Sequence, residues 1–162
     1  MRALGSVALL ATATLAGCSG FSIGVRQDKD DRVAVTRVLR AKVVGDRFAA
    51  RELLGRDWTR LWVFAGGVET RAIEDRIAIP FPESGEATPP ETPYLVFDDG
   101  KAVVAAFSLA GRDDDARVAR VRAGCLLAQR GPLAPATPLV VVASRPSRAP
   151  RVVPVASVAR CR

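Results

Sequence analysis

The sequence predicts a single α+β domain, with a mostly antiparallel sheet and two helices packed on one of its faces. Two segments have apolar residues at helical spacing. Several short runs rich in β-branched and aromatic residues are bounded by turn residues, and two pairs of these runs form expected β-hairpins. Hairpins produce antiparallel sheets, and strands and helices in this arrangement are typical of the α+β class. We find no internal repeat or boundary within residues 28–162.

The two helices are predicted from apolar spacing and from charges at their ends. Three aspartates open the first helix and suit its dipole: Asp28, Asp30 and Asp31. Gly45 is expected to cap its C-terminus, although the β-branched residues of 33–38 leave a strand open as an alternative. The second helix is predicted over residues 69–77, with Ala72, Ile73 and Ile77 on its buried side.

Residues 58–64 form the best predicted strand. Alternation places Trp58, Trp62 and Phe64 on one face and Leu61 and Val63 on the other. Apolar residues on both faces indicate a central strand.

Other strands are predicted on either side of turn residues. Residues 94–97 and 102–109 flank a turn at 98–101 and predict one hairpin. Residues 139–143 and 151–158 predict a second hairpin, and residues 47–53 a short strand. Residues 117–122 fit either a strand or a short helix. The acidic, proline-rich residues 80–93 are expected to form a surface connection, with a binding lid as the alternative.

Positive charge is concentrated in the last third of the chain. The net charge is +7, no acidic residue follows Asp115, and nine arginines do. Such asymmetry can mark a face that binds an anionic polymer, lipid or partner protein, and we expect no nucleic acid. The alternative is that these arginines are outward strand residues paired with acids from earlier in the chain. The candidate contacts are Arg117, Arg120, Arg122, Arg145, Arg148 and Arg151.

The start of the chain has the three parts of an export signal. Met1 and Arg2 give a positive start, and residues 3–17 are apolar or small. This run is shorter than the roughly 20 residues needed to span a bilayer as a helix. Four residues then resemble the lipobox of bacterial lipoprotein precursors: Leu15, Ala16, Gly17 and Cys18. The alternatives are an uncleaved signal anchor and an ordinary secreted protein.

The lipoprotein resemblance implies that Cys18 is the lipidation site. Its thiol would receive a diacylglyceryl group, and signal peptidase II would recognise Leu15, Ala16 and Gly17 and cut before Cys18. Residues 1–17 are then the signal peptide, 18–27 a lipidated tether and 28–162 the domain. Two or more acyl chains hold a protein stably at a membrane. Since Ser19 follows Cys18, the family's sorting pattern favours the outer membrane, facing the periplasm, where the host has one.

Lipidation of Cys18 would leave two cysteines, Cys125 and Cys161. An even pair in an oxidising compartment predicts a disulfide bond. The alternative is two buried or reactive thiols.

The sequence offers little catalytic chemistry. It contains no histidine, which excludes histidine-based catalytic triads and zinc sites within this chain, and we expect no cofactor and no metal site. Asp98 and Asp99 lie in a predicted turn that favours aspartate, and the three aspartates at 113–115 lack the spacing of a calcium loop. Trp58 and Trp62 are expected in the core, with a sugar-stacking surface as the alternative.

Residues 58–64, the following helix and residues 94–97 loosely resemble small uncharacterised bacterial lipoproteins, which implies an arrangement of elements and no activity. The leading hypothesis is therefore a lipid-anchored, non-enzymatic binding or accessory module of the cell envelope. The alternatives are a hydrolase with paired carboxylates that acts on an envelope glycan and a structural accessory without a ligand. The sequence does not predict an oligomeric state.

Overall fold

Two α-helices, two 3₁₀ helices and six strands make up the part of the chain that the structure describes. This computed structural model describes residues 27–81, 93–109, 123, 125–126, 131–143 and 150–160. In chain order the elements are α1 (Lys29–Ala41), β1 (Arg47–Ala49), a first 3₁₀ helix (Ala50–Leu53), β2 (Arg60–Phe64), α2 (Thr70–Ile77), β3 (Tyr94–Asp98), β4 (Val103–Ser108), β5 (Pro138–Val142), β6 (Arg151–Pro154) and a C-terminal 3₁₀ helix (Val155–Arg160).

The strands form two three-stranded antiparallel sheets, in the orders β2-β3-β4 and β1-β5-β6. The α+β class is thus confirmed. The strands do not form one sheet, because the short β1 pairs with the distant β5 and places Phe48 opposite Leu139. Leu61 of β2 exchanges two backbone hydrogen bonds with Leu133, of 2.9 and 2.8 Å. This isolated bridge lies on the outer edge of β2.

The two helices contribute to different hydrophobic clusters, which lie on opposite faces of the β2-β3-β4 sheet. Every residue of β3 is buried, so both faces of this central strand are covered. Leu95 and Phe97 cluster with Val35 and Leu39 of α1. The alternate β3 residues, Tyr94 and Val96, cluster with Ile73 and Ile77 of α2. The helices therefore enclose this sheet from two sides, which differs from the expected packing on one face.

β2 is shorter than predicted and lies at the edge of its sheet. Trp58 precedes the strand and is buried in the α1-side cluster, where its ring meets Phe97 edge-on at 5.3 Å. Trp62 packs on the α2-side cluster with Phe64. The prediction that Trp58 shares a face with Trp62 is wrong, because the regular alternation of a strand begins only at Arg60. The central position belongs to β3.

The other helices and strands predicted within the described residues agree with the structure apart from their ends, while the strand or short helix predicted at residues 117–122 lies outside the described residues. α1 ends at Ala41, and Gly45, with a φ of 97°, belongs to the following turn. Residues 47–53 divide into β1 and the first 3₁₀ helix. The prediction that Ala72 lies on the buried side of α2 is wrong: the buried side of the helix passes through Ile73 and Ile77, and Ala72 is exposed. Both hairpins are confirmed, although β6 ends at Pro154 because residues 155–160 turn into a 3₁₀ helix.

The residues just before α1 are held against the free edge of β4. Asp28 donates its backbone N–H to the Ala106 carbonyl at 3.0 Å, and its carboxylate accepts the Ala106 N–H at 2.7 Å. The side-chain oxygen of Gln27 accepts the Ser108 N–H at 3.0 Å. The chain therefore enters the fold at a defined point beside β4. No helix in the described ranges has the length and apolar character needed to cross a bilayer.

Candidate functional site

A buried carboxylate organises the end of the β2-β3 pair. Asp98 is fully buried, and Arg60 lies opposite it in the antiparallel register. Oδ1 accepts hydrogen bonds of 2.8 Å from Arg60 Nε and from the Gly100 N–H, and Oδ2 accepts one of 2.8 Å from Trp62 Nε1. A buried carboxylate is costly unless such donors surround it. We call Asp98, Arg60 and Trp62 the Asp98 cluster.

The Asp98 cluster also joins the sheet to α2. Arg60 donates a hydrogen bond of 3.3 Å from Nη2 to the carbonyl of Ile77, in the last turn of that helix. Its guanidinium carbon is 5.6 Å from the centre of the Trp62 ring, a separation at which a cation–π attraction operates. The indole ring is thus fixed at its nitrogen by Asp98 and on its face by Arg60.

The fixed Trp62 ring forms one wall of an open cleft of about 320 Å³. This volume lies at the small end of the range for ligand pockets. β2 and the turn after it supply Trp62, Val63, Phe64, Ala65 and Val68, α2 supplies Ala72 and Arg76, and Gly131 also contributes to the lining. The lining is mainly apolar, with the Arg76 guanidinium as its charged group. We call it the Trp62 cleft.

The described side chains that line the Trp62 cleft can contact a ligand through aromatic, apolar and charged groups. Its lining contains two aromatic rings, aliphatic side chains and one guanidinium, and none of the lining residues that the structure describes has a carboxylate, hydroxyl or thiol side chain. A flat or apolar group bearing a negative charge fits such a lining. Within the described ranges, no three His, Cys, Asp or Glu side chains are grouped so that they could hold a metal ion.

Asp98 and Asp99 both serve the turn between β3 and β4. Asp99 is exposed, and its Oδ1 accepts the backbone N–H groups of Lys101 and Ala102 at 2.8 Å each. These two hydrogen bonds, above all that from Ala102, lower the pKa of the Asp99 carboxyl below its ordinary value. Aspartate is favoured in turns for this kind of local bonding. The predicted turn role of both residues agrees with these contacts.

Of the six arginines that were predicted to contact an anionic partner, only Arg151 is among the residues that the structure describes. It is half-buried at the start of β6, and its guanidinium nitrogen is 3.7 Å from the sulfur of Cys125. Arg151 therefore contributes to packing around Cys125 as well as to the charge of the C-terminal third. Five candidate contacts lie outside the described residues: Arg117, Arg120, Arg122, Arg145 and Arg148.

Cys125 is buried beside β6 in a small cluster with Val153. Its predicted partner, Cys161, lies outside the described residues, so the disulfide bond stays a prediction. The same holds for the predicted lipidation signal, namely Leu15, Ala16, Gly17 and Cys18, and for the aspartates at 113–115 and most of the acidic segment at 80–93.

Sequence reasoning missed the link between Asp98 and its two side-chain donors, Arg60 and Trp62. The signal was one charged residue at the end of each of two apolar strands: Arg60 begins β2 and Asp98 ends β3. The pairing becomes visible only once the register is known, because Arg60 and Asp98 are 38 positions apart. From the sequence Trp62 is expected in the core, with a stacking surface as the alternative, whereas its indole N–H donates a hydrogen bond to Asp98.

Comparison with known proteins gives no match: no family model fits the chain, and no curated protein and no solved structure is similar to it.

Proposed function

We propose that this protein is a lipid-anchored cell-envelope protein whose domain is a non-enzymatic binding or accessory module. The observation that carries the proposal is Cys18 directly after Ala16 and Gly17 at the end of an apolar leader. The thiolate is the nucleophile that accepts the diacylglyceryl group. The outer membrane, facing the periplasm, is the destination where the host has one.

The entry point of the chain into the fold is compatible with such an anchor. Gln27 and Asp28 are tied to the edge of β4, and they follow Cys18 closely in the sequence. A tether of this length reaches at most about 30 Å even when fully extended. The domain of a lipidated chain would therefore stay close to the membrane surface.

Binding is favoured over hydrolysis by the chemistry of the described cleft. A glycoside hydrolase needs two carboxyl groups about 5–9.5 Å apart across the scissile bond. Among the described residues, none that lines the Trp62 cleft has a carboxylate. Asp98 is the buried carboxylate that binds Trp62 of the cleft, and it already accepts three hydrogen bonds. These features support a module that holds a partner without cleaving it.

The partner we propose is an anionic envelope component or an envelope protein with an acidic surface. The concentration of arginine after Asp115 supports it, because clustered positive charge attracts anions over several ångströms. Arg145 and Arg148 are the residues that test this most cleanly. Arg151 contacts Cys125, so its replacement would also disturb packing.

Mass spectrometry of the protein purified from the membrane of its natural host tests the anchor. The expected N-terminus is Cys18 with a diacylglyceryl group on sulfur, and the variant Cys18→Ser should stay unprocessed and lose the lipid. A mature chain that retains Met1, or that begins elsewhere without acyl chains, would rule out the lipoprotein.

A pull-down from envelope extract tests the basic partner surface. The variant Arg145→Glu with Arg148→Glu is expected to lose partners that the unsubstituted protein retains. The matched control is Arg47→Glu with Arg71→Glu, since both are exposed arginines in the first half of the chain and the charge change is identical. Equal recovery of partners by both double variants would refute the role of the C-terminal arginines.

A further inference from the structure

The exposed side of α1 and the turn after it combine apolar and basic residues. Val33 is 50% exposed, and Val43 and Val44 in the turn are 62% and 51% exposed. Among the described residues only one other large hydrophobic side chain is exposed, Val155 at 37%. Arg37 and Arg40 are exposed between these valines. We call Val33, Arg37, Arg40, Val43 and Val44 the α1 surface.

The α1 surface follows from the way α1 is packed. Val35 and Leu39 are fully buried against the β2-β3-β4 sheet. At 3.6 residues per turn, Val33, Arg37 and Arg40 project from the opposite side of the helix. The exposed charged residues of α1 are three basic and one acidic, namely Lys29, Arg37, Arg40 and Asp30. The side of α1 that faces away from the domain is therefore net positive and flanked by apolar groups.

From this surface and its position next to the tether, we propose that the α1 surface lies against the anionic membrane leaflet that holds the Cys18 lipid. Valines enter the boundary between headgroups and acyl chains, and the arginines bind anionic phosphates. Burial of apolar groups and attraction to anionic lipid are the two contributions that hold a protein surface at a membrane interface. The proposal rests on the lipid anchor described under Proposed function.

The position of the tether favours this surface over others. The tether joins the fold directly before Lys29, so the lipid is attached at one end of the 13-residue α1. A helix of that length extends about 20 Å, less than the reach of about 30 Å for the tether. The whole α1 surface can therefore reach the leaflet. Tethering raises the local concentration of lipid, so that even weak contacts become occupied.

The opposite side of the domain provides the matched control. α2 packs on the other face of the same sheet, and its Arg71 is exposed. A residue at position 71 should stay away from the leaflet that contacts the α1 surface. Positions 43 and 71 thus report on two sides of one molecule.

The test uses the mature, lipidated protein, which begins at Cys18, in vesicles of phosphatidylethanolamine and phosphatidylglycerol. The phospholipids carry bromine near the top of the acyl chains, which quenches nearby tryptophan fluorescence. The variants are Val43→Trp and Arg71→Trp, and the signal of the unsubstituted protein, with Trp58 and Trp62, is subtracted. Val43 is largely exposed, so its replacement leaves the core intact.

Bromination should remove about half or more of the added fluorescence of Val43→Trp and little of that of Arg71→Trp, as expected for an apolar side chain inserted at the interface. In the Val43→Trp background, Arg37→Glu should reduce the quenching and Arg71→Glu should not. If the protein floats with the vesicles but quenching is equal at positions 43 and 71, the proposed membrane contact of the α1 surface is refuted and the lipid anchor is not. Protein that does not float with the vesicles overturns the anchor and the α1 surface with it.

Discussion

The indole nitrogen of Trp62 donates a hydrogen bond of 2.8 Å to Oδ2 of Asp98, a carboxylate that is fully buried. Trp62 lies in β2 and Asp98 ends β3, so the bond runs diagonally across the strand pair. Arg60 binds both Asp98 and the last turn of α2. The Asp98 carboxylate therefore links the sheet, the helix and the Trp62 side of the cleft.

Replacement of Asp98 by asparagine should destabilise the domain. The amide carries no charge for Arg60, and its NH₂ group must face a donor where the carboxylate accepted three hydrogen bonds. We expect the free energy of unfolding to fall by about 2–4 kcal/mol, a range reduced for the partial exposure of Arg60. Urea unfolding measures it. The control is Asp99→Asn in the same turn, and equal losses for both variants would contradict a special role for Asp98.

The Trp62–Asp98 hydrogen bond should appear as an energetic coupling. Trp62→Phe keeps an aromatic ring but removes the indole N–H, so Oδ2 of Asp98 loses its donor. In a double-mutant cycle with Asp98→Asn, the two losses should be less than additive by about 0.5–2 kcal/mol. Urea unfolding of the four proteins supplies the cycle. Strict additivity would show that the two side chains do not stabilise each other.

The separation of the core into two clusters predicts additivity elsewhere. Leu39→Ala removes packing on the α1 side of the sheet and Ile73→Ala on the α2 side. Each fully buried side chain should contribute about 2–5 kcal/mol, and the double variant should lose the sum within about 0.5 kcal/mol. If the two losses together exceed the free energy of unfolding of the domain, the smaller substitutions Leu39→Val and Ile73→Val are used instead. A large coupling would mean that both helices pack against one common core.

Local patterns predicted the elements, whereas long-range pairing decided their arrangement. The aspartates at the start of α1, the spacing of Ile73 and Ile77 in α2 and the Asp98–Asp99 turn act over a few residues, and each is found in the structure. The division into two sheets depends on Phe48 meeting Leu139. Periodicity within a segment contains no information about that contact.

The packing of α1 and α2 on opposite faces of the sheet and the Asp98 cluster could not be predicted from the sequence, for the same reason. Tyr94, Leu95, Val96 and Phe97 are all apolar, which indicates burial on both faces of β3 but not which helix covers each face. Asp98 fits a turn by its type alone, and its second role depends on the register that brings Arg60 opposite. The contacts that make the site are tertiary, so local propensity could not reveal them.

Acid should destabilise the domain through carboxylates whose pKa is lowered on folding. The hydrogen bond from Lys42 lowers the pKa of the Glu52 carboxyl below its ordinary value, helped by the Ala49 N–H, and the Ala102 N–H does the same to the pKa of the Asp99 carboxyl. A lowered pKa in the folded state stabilises the protein above the unfolded-state pKa. That stabilisation is lost as the pH falls through the folded-state value.

The free energy of unfolding should therefore decrease as the pH is lowered below about 4.5. Chemical unfolding at a series of pH values between neutrality and strong acid measures this decrease. The variants Glu52→Gln and Asp99→Asn should each flatten the acid slope and lower the stability at neutral pH. A variant that keeps the full slope would show that its carboxylate does not take part.

Cys125 and Cys161 should be joined in protein isolated from an oxidising envelope. Cys125 is buried beside β6, and a bond to Cys161 would tie the C-terminal end of the chain to the body of the domain. Closing a loop of about 36 residues should stabilise the fold by up to about 4 kcal/mol. Peptide mapping without reductant should find the two cysteines in one cross-linked peptide pair. Reductant should lower the stability of the unsubstituted protein to that of Cys161→Ser and leave the variant unchanged. Alkylation of both thiols in denatured, unreduced protein would contradict the bond and identify them as two thiols instead.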